Sequence, residues 1–331
     1  MNEPKGPITI DFESWLQANG YGEYDFARQD LGVIGSYGGR TYSNQPIDQI
    51  PIVFVHGNSD GALLDPQNTK WGTGWSSSIK YFTKQNYSSA TLYATTWGDR
   101  ITGNAYQRTH NCEVITRIRT FIEAVLEYTG APQIHVISHS MGVAIARKAV
   151  RGGYIDADDG ICNVGTSLRS RINTFIGISG ANYGIHTYLS VERTCLTFNV
   201  LGMCQCSGGN ITAIAPTCNK KNGFWPGEPC EIADSLTAPE LCGGQTRACS
   251  RNAYSSLLQE MNENPINEGS FVFSFWSYND DLIGFHDSVY GRPTSFVPFS
   301  NATRVIRGMN HMETKDKTPD IQYKLIKTHK F

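Results

Sequence analysis

The first uninterrupted apolar run in the chain is Ile52-Val53-Phe54-Val55. It is too short for a helix and rich in β-branched side chains, so it predicts a strand buried on both faces. It stops at a polar, glycine-bearing loop, His56-Gly57-Asn58-Ser59-Asp60-Gly61. Residues 74–86 follow with Trp75, Ile79, Tyr81 and Phe82 at partly helical spacing, and residues 91–96 read as a second strand that ends at Trp97-Gly98-Asp99. The clearest helix covers residues 111–128, where Val114, Ile115, Ile118, Phe121, Ile122, Val125 and Leu126 form one apolar stripe and Gly130-Ala131-Pro132 stops it. Residues 133–143 begin as a short strand (Ile134, Val136, Ile137), turn polar at Ser138-His139-Ser140, and pass at once into a helical pattern of Met141, Ala144, Ile145, Lys148 and Ala149.

A fourth strand is predicted at residues 172–178, closed by Ser179-Gly180-Ala181-Asn182. The rhythm then breaks over residues 183–250 and resumes with a helix at 254–261, a strand at 271–276, a strand at 302–306 and a last helix at 320–327. Before the first strand only Asp11 to Leu16 reads as a short helix, and residues 32–42 read as a turn-rich lead-in. Strands alternating with helices predict an α/β fold, a mostly parallel sheet with helices on both faces. The expected organisation is a single domain over residues 1–331, with residues 183–250 as a disulfide-rich insertion placed to form a lid or cap.

Composition narrows the picture. The chain has 331 residues, 40% hydrophobic and 18% charged, with net charge -2, so it is long enough for a substantial core. There is no basic excess to meet a phosphate backbone, which argues against nucleic acid as a partner. No apolar run approaches the about 20 residues of a membrane span. Seven of the nine cysteines fall between Cys195 and Cys249, a density that points to a disulfide framework and an oxidising compartment. Zinc is the competing reading, but Cys204-Gln205-Cys206 lacks paired C-x2-C spacing and no histidine lies within the cluster. No metal and no other cofactor is therefore expected. Asn86, Asn210 and Asn301 each begin an Asn-x-Ser/Thr sequon. The polar start MNEPKGPITIDFESW has no signal-peptide core, so the expectation is a mature secreted chain whose signal peptide has been removed or replaced. An odd cysteine remains, as a free thiol or an intermolecular bridge.

The candidate chemistry sits at the ends of the predicted strands, where functional groups of parallel sheets collect. Ser138-His139-Ser140-Met141-Gly142 has the form of the nucleophile elbow, G-x-S-x-G, with Ser in place of the first glycine. The tight turn crowds the positions two before and two after the nucleophile, so both must be small. Ser140 is the candidate nucleophile, Asp280 the orienting acid and His311 the general base, in the order Ser, Asp, His. Asp281 is adjacent to Asp280, and the residues alone separate the two poorly. His286 follows Asp280 too soon to reach the next strand end, and His329 lies in a polar tail. His135 is assigned to the sheet and His139 to a structural place inside the elbow. Backbone N–H groups of Met141 and Asn58 are the candidate oxyanion donors.

Three segments, PIVFVHGNSDGA, VISHSMGVAIARK and FIGISGANYG, together resemble the class 2 lipases of the α/β-hydrolase superfamily. That group includes small bacterial lipases and the secreted lipase-related proteins of nematodes. The resemblance covers roughly residues 50–325, and the cysteine-rich insertion looks like the nematode type. It implies the α/β-hydrolase fold and tolerance of a small residue other than glycine at Ser138. Asp280-Asp281-Leu282-Ile283-Gly284 matches the family's D-x-x-V/I-G pattern with Asp280 in register, and Gly308-Met309-Asn310-His311 matches its G-x-x-H segment. The implied activity is hydrolysis of carboxylic esters, of acylglycerols or other lipids, at or near a lipid–water interface. Phe224 and Trp225 then either contact acyl chains or pin the insertion as small-core residues. A catalytically dead relative that binds lipid or a surface partner is the reading from another class, and a hydrolase of water-soluble esters is the third. Nothing in the chain fixes an oligomeric state.

Overall fold

The computed structural model describes residues 3–185, 204–207, 210–213, 215–227, 254–283, 287–289 and 292–331. Seven strands form one sheet: β1 (Ser36–Tyr37), β2 (Ile52–Val55), β3 (Leu92–Thr95), β4 (Ile134–His139), β5 (Ile172–Ile178), β6 (Phe271–Ser277) and β7 (Ala302–Ile306). Their spatial order is β1-β3-β2-β4-β5-β6-β7. Every pairing is parallel except β1 with β3, which sets Ser36 opposite Thr95.

Among the described residues the α-helices are α1 (Ile10–Ala18), α2 (Ser76–Lys84), α3 (Cys112–Thr129), α4 (Met141–Arg151), α5 (Ser256–Glu263), α6 (Glu313–Asp316) and α7 (Pro319–Thr328). They cover both faces of the sheet. Val53 and Val55 of β2 pack with Phe121, Ile122 and Ile145 of α3 and α4, while Ile52 and Phe54 pack with Ile79 and Phe82 of α2 and Leu325 and Ile326 of α7. Alternate residues of β2 thus enter opposite cores, which is why the run has no polar member. This is the α/β arrangement the alternation predicts, and the α/β-hydrolase fold that the resemblance implies.

Local chemistry sets the ends of the helix leading to β4. Asn111 caps α3 through its side chain on the Val114 N–H, and Asp159 takes the Cys112 and Glu113 N–H groups. Gly130 ends the same helix in the left-handed region (φ 64°). The hairpin Tyr154–Ala157 with Gly160–Asn163 holds Asp159 in place and is tied to α3 by the Cys112–Cys162 disulfide. Neither this hairpin nor β1 has enough alternating positions to be visible in the sequence.

Helix α4 departs from its amphipathic pattern. All of its residues are buried, including Arg147, Lys148 and Arg151. Its polar face meets a second polar surface: Arg147 pairs with Glu268 at 2.9 Å and donates to Asn182 and Asn262 at 2.8 Å each, and Lys148 meets Glu260 at 3.0 Å. The Gly180-Ala181-Asn182 segment therefore anchors the helix that follows Ser140.

Much of the 183–250 segment lies outside the described residues, as do Cys195, Cys230, Cys242 and Cys249. What is described includes the hairpin Cys204–Ser207 with Asn210–Ala213 and the loop at residues 215–227. Cys218 in that loop is disulfide-bonded. Among the described residues no helix is long and apolar enough to cross a membrane.

Candidate active site

Ser140 stands between the last residue of β4 and the first of α4, in a conformation (φ 55°, ψ -132°) that non-glycine residues rarely adopt. Its N–H donates to Ile178 O at 2.9 Å, fastening the turn to the end of β5. The two positions flanking the elbow explain themselves. A Cβ on Gly142 would come within 2.3 Å of His56 O, so only glycine fits there. Ser138 is fully buried, and its hydroxyl donates to Ile176 O at 3.0 Å. The extra side chain is thus accommodated by a hydrogen bond to the neighbouring strand, and the departure from G-x-S-x-G leaves the turn intact.

The loop after β2 presses on the same turn. A Cβ on Gly57 would lie 2.7 Å from Ser140 Cβ. His56 shapes this loop: its Nδ1–H donates to Gly57 O at 2.7 Å, Nε2 accepts the Trp97 N–H at 3.0 Å, and its ring stacks on Trp97 at 4.9 Å. Those partners require a neutral ring, and burial pushes its pKa down to about 3. Asn58 is held by its side chain, which donates to Ala105 O at 2.8 Å and accepts from Arg108 at 2.6 Å. The backbone N–H groups of Asn58 and Met141 have no hydrogen-bond partner among the described residues.

His311 follows β7 and is buried. Its Nδ1–H donates to Asp280 Oδ2 at 2.7 Å. Asp280 Oδ1 accepts the N–H groups of Leu282 at 2.9 Å and Ile283 at 3.0 Å. Burial alone would raise the Asp280 pKa, but the histidine beside it and these donors outweigh that and hold it below the usual carboxylate range. Asp281 has a different partner: its Oδ1 accepts the backbone N–H of His311 at 3.0 Å. Nε2 of His311 is buried with no hydrogen-bond partner among the described residues, Ser140 included.

Ser140, His311, Asn58 and Met141 line one cavity of about 290 Å³, whose other walls include Trp71, Ile185, Phe224, Leu282 and Met312. Phe224 and Trp225, paired in sequence, part here. Phe224 faces the cavity, and Trp225 is buried in the core with the Lys220 ammonium 4.6 Å from its ring centre. His329 is remote from this constellation: it ends α7 in the left-handed region and stacks on Phe271 at 3.6 Å. His286 and Gly284 lie outside the described residues.

Sequence reasoning gave His139 a structural place and named Asp281 beside Asp280, but it did not show what either holds, and it missed Thr314. His139 also lines the cavity, donates from Nε2 to His311 O at 3.1 Å and sets its ring 4.6 Å from that of His311. Thr314 Oγ1 donates to the same carbonyl at 2.5 Å. The one signal was position: His139 is next to Ser140, Asp281 is next to Asp280, and Thr314 follows the segment that carries His311. No group of three or more His, Cys, Asp or Glu suited to a metal ion occurs among the described residues.

The sequence profile described as "Lipase (class 2)" matches residues 49–324. The chain belongs to the class 2 lipase family. No curated protein matches it. Among solved structures, Aspergillus fumigatus lipase B is similar at 12% identity and TM-score 0.42, over 85% of this chain and 48% of that one. The chain thus spans about half the length of that lipase. Paleococcus ferrophilus monoacylglycerol lipase is similar at 12% identity and TM-score 0.44, over 89% and 98% of the two chains. An α/β-hydrolase from a sediment metagenome of the Mar Chica lagoon gives 10% identity and TM-score 0.41, over 90% and 96%. At these scores the structural likenesses carry no argument about activity. The family membership rests on the sequence match, which gives a lipase-like ester hydrolase.

Proposed function

We propose that this protein is a secreted serine hydrolase of lipid carboxylic esters, acylglycerols among them, that works through an acyl-enzyme on Ser140. The observation that carries the reading is the hydrogen bond from His311 Nδ1 to Asp280, which leaves Nε2 as the free lone pair beside the cavity that Ser140 lines. In this scheme Nε2 takes the Ser140 proton as Oγ bonds to the ester carbonyl carbon. The carbonyl oxygen becomes an oxyanion that accepts the N–H groups of Asn58 and Met141. The intermediate collapses, the carbon–oxygen ester bond breaks, and His311 returns the proton to the departing alcohol. Water then repeats the sequence on the acyl-enzyme and releases the acid. Asp280 stays ionised throughout and stabilises the imidazolium.

Secretion is supported by the Cys112–Cys162 disulfide and by the bonded state of Cys218, both products of an oxidising compartment. Asn86 and Asn301 are exposed and open to glycosylation. The density of cysteines in the sequence supports the secreted type that nematode lipase-related proteins represent, and Phe224 in the cavity wall supports residues 183–250 as an insertion that caps the site.

One observation favours an inactive, lipid-binding relative: the missing hydrogen bond between Ser140 and His311 Nε2. Catalytic hydrogen bonds are often long without substrate and tighten in the reacting complex, so the active reading stands ahead. A fluorophosphonate probe decides between them. Label mapped to Ser140, and lost in Ser140→Ala with the fold intact, supports the hydrolase. A folded protein that stays unlabelled with lipid or detergent present is the binding protein.

A further inference from the structure

Two segments must keep a fixed relation for the proposed chemistry to work: the loop carrying Asn58 after β2 and the loop carrying His311 after β7. They come from opposite ends of the sequence and from strands separated in the sheet by β4, β5 and β6. We propose that the ion pair between Lys315 and Asp60 is the positioning device that holds these two loops in register. The proposal rests on the reading of Ser140, His311 and Asn58 given above.

Asp60 lies two residues after Asn58 and itself lines the cavity. Lys315 lies four residues after His311, on the one-turn helix α6. Lys315 Nζ and Asp60 Oδ2 are 2.8 Å apart, and both side chains are buried, at 1% and 2% exposure. An ammonium has three protons to donate. They find Asp60 Oδ2, Thr73 Oγ1 at 2.8 Å and Gly74 O. Asp316 Oδ1 adds a second carboxylate at 3.3 Å, and the Trp75 ring centre lies 5.3 Å from the ammonium. The other Asp60 oxygen accepts the Gly74 N–H at 2.7 Å. Each ion is fully hydrogen-bonded and its direction is fixed.

The pair is charged on both sides. Burial works against the Lys315 ammonium, but Asp316 and Asp60 outweigh it and raise its pKa. Burial likewise works against ionised Asp60, and Lys315 outweighs it. Such a pair is a poor way to gain stability, since two well-packed apolar side chains do as well or better. What it supplies is direction. Three donors aimed at three acceptors allow one arrangement of the two loops, where apolar contacts allow a range. Catalysis is sensitive to that range: a shift of about 1 Å can cost about 100-fold, and loss of one oxyanion donor costs about 100- to 1,000-fold in kcat.

The test uses the full-length protein, a water-soluble short-chain nitrophenyl ester, and four forms: wild type, Ser140→Ala, Lys315→Met, and Lys315→Met combined with Asp60→Leu. The single variant leaves a buried carboxylate unpaired and is expected to lose thermal stability as well as activity. The double variant removes both charges of the pair and is expected to recover much of the melting temperature lost by the single variant, the remainder reflecting Asp316 and the Gly74 backbone groups left without their partners. Its kcat is expected to remain about 100-fold below wild type, with KM within about threefold. A double variant that turns over like wild type overturns the proposal, because the pair then serves folding alone. A fall confined to KM also overturns it, since Asp60 would then act by contacting substrate. Failure of the underlying reading looks different: wild type does not turn over, or Ser140→Ala does.

Discussion

Asp281 accepts the backbone N–H of His311 at 3.0 Å. Its neighbour Asp280 accepts the ring Nδ1–H of the same histidine at 2.7 Å. Adjacent carboxylates that are hard to tell apart in the sequence thus grip one residue at two places. In the proposed mechanism Asp280, which meets the ring, sets the tautomer and stabilises the imidazolium. Asp280→Asn is expected to lower kcat by about 10⁴-fold, because an amide donor in that position favours the wrong tautomer. Asp281→Asn keeps an oxygen acceptor for the N–H and is expected to stay within about tenfold of wild type. Steady-state kinetics on one short-chain ester checks both, and equal losses would mean that the acid has been misassigned.

The contact between the elbow and the loop after β2 has little room. With its Cβ 2.7 Å from Ser140 Cβ, Gly57→Ala must push the loop or the serine aside. The expected result is a folded protein with kcat reduced by about 100-fold and weaker labelling by the phosphonate. Gly142→Ala is worse, since its Cβ meets a backbone oxygen at 2.3 Å. It is expected to cost about 2 kcal/mol or more in denaturant unfolding. Unchanged unfolding in both variants would show that the two segments are not packed as described.

Ser138→Gly restores the common elbow residue and deletes the hydrogen bond to Ile176 O. The expectation is a loss of roughly 1 kcal/mol in stability from the missing bond and the added chain entropy, with kcat nearly unchanged. A gain in stability would mean that the serine is strained in its site.

Burial holds four histidines neutral, with pKa values down to about 3 for His56, about 4 for His110 and about 3 for His135, and well below the ordinary value for His139. In the unfolded chain each titrates near 6.5. Between roughly pH 4 and 6.5 the unfolded state therefore binds more protons, and stability rises with pH through that window. It is fully present above about pH 6.5 and falls as pH drops below it, by roughly 1.4 kcal/mol per pH unit for each histidine fully in that regime. Urea unfolding at a series of pH values measures the slope. His110→Gln should shallow it, and a flat profile from pH 7 to 5 would contradict neutral burial.

Phe224 forms part of the cavity wall and packs edge-on against His110 at 4.7 Å. Phe224→Ala opens that wall. It is expected to cost about 3 kcal/mol in stability and to raise activity on longer acyl chains relative to short ones. An ester series of increasing chain length reads the ratio directly. A ratio that does not move would remove Phe224 from the acyl-binding wall.

The sequence by itself determined the order of the six parallel strands β2 to β7 and of the longer helices, because a strand covered on both faces is predominantly apolar and α3 must carry one stripe. It also singled out Ser140 as a candidate, a serine between small residues at a strand-to-helix turn, and His311 and the Asp280–Asp281 pair as strand-end residues. Which aspartate meets which group of His311 is decided by folding alone: both are acceptors, and the approach of His311 from β7 brings its ring to Asp280 and its backbone N–H to Asp281. The same holds for His139, which reads as filler inside the elbow until His311 O arrives at its Nε2. It holds most for Lys315 and Asp60, separated by 255 positions. A charged residue in a sequence reads as a solvated one, and burial with a partner is a property of the packed chain.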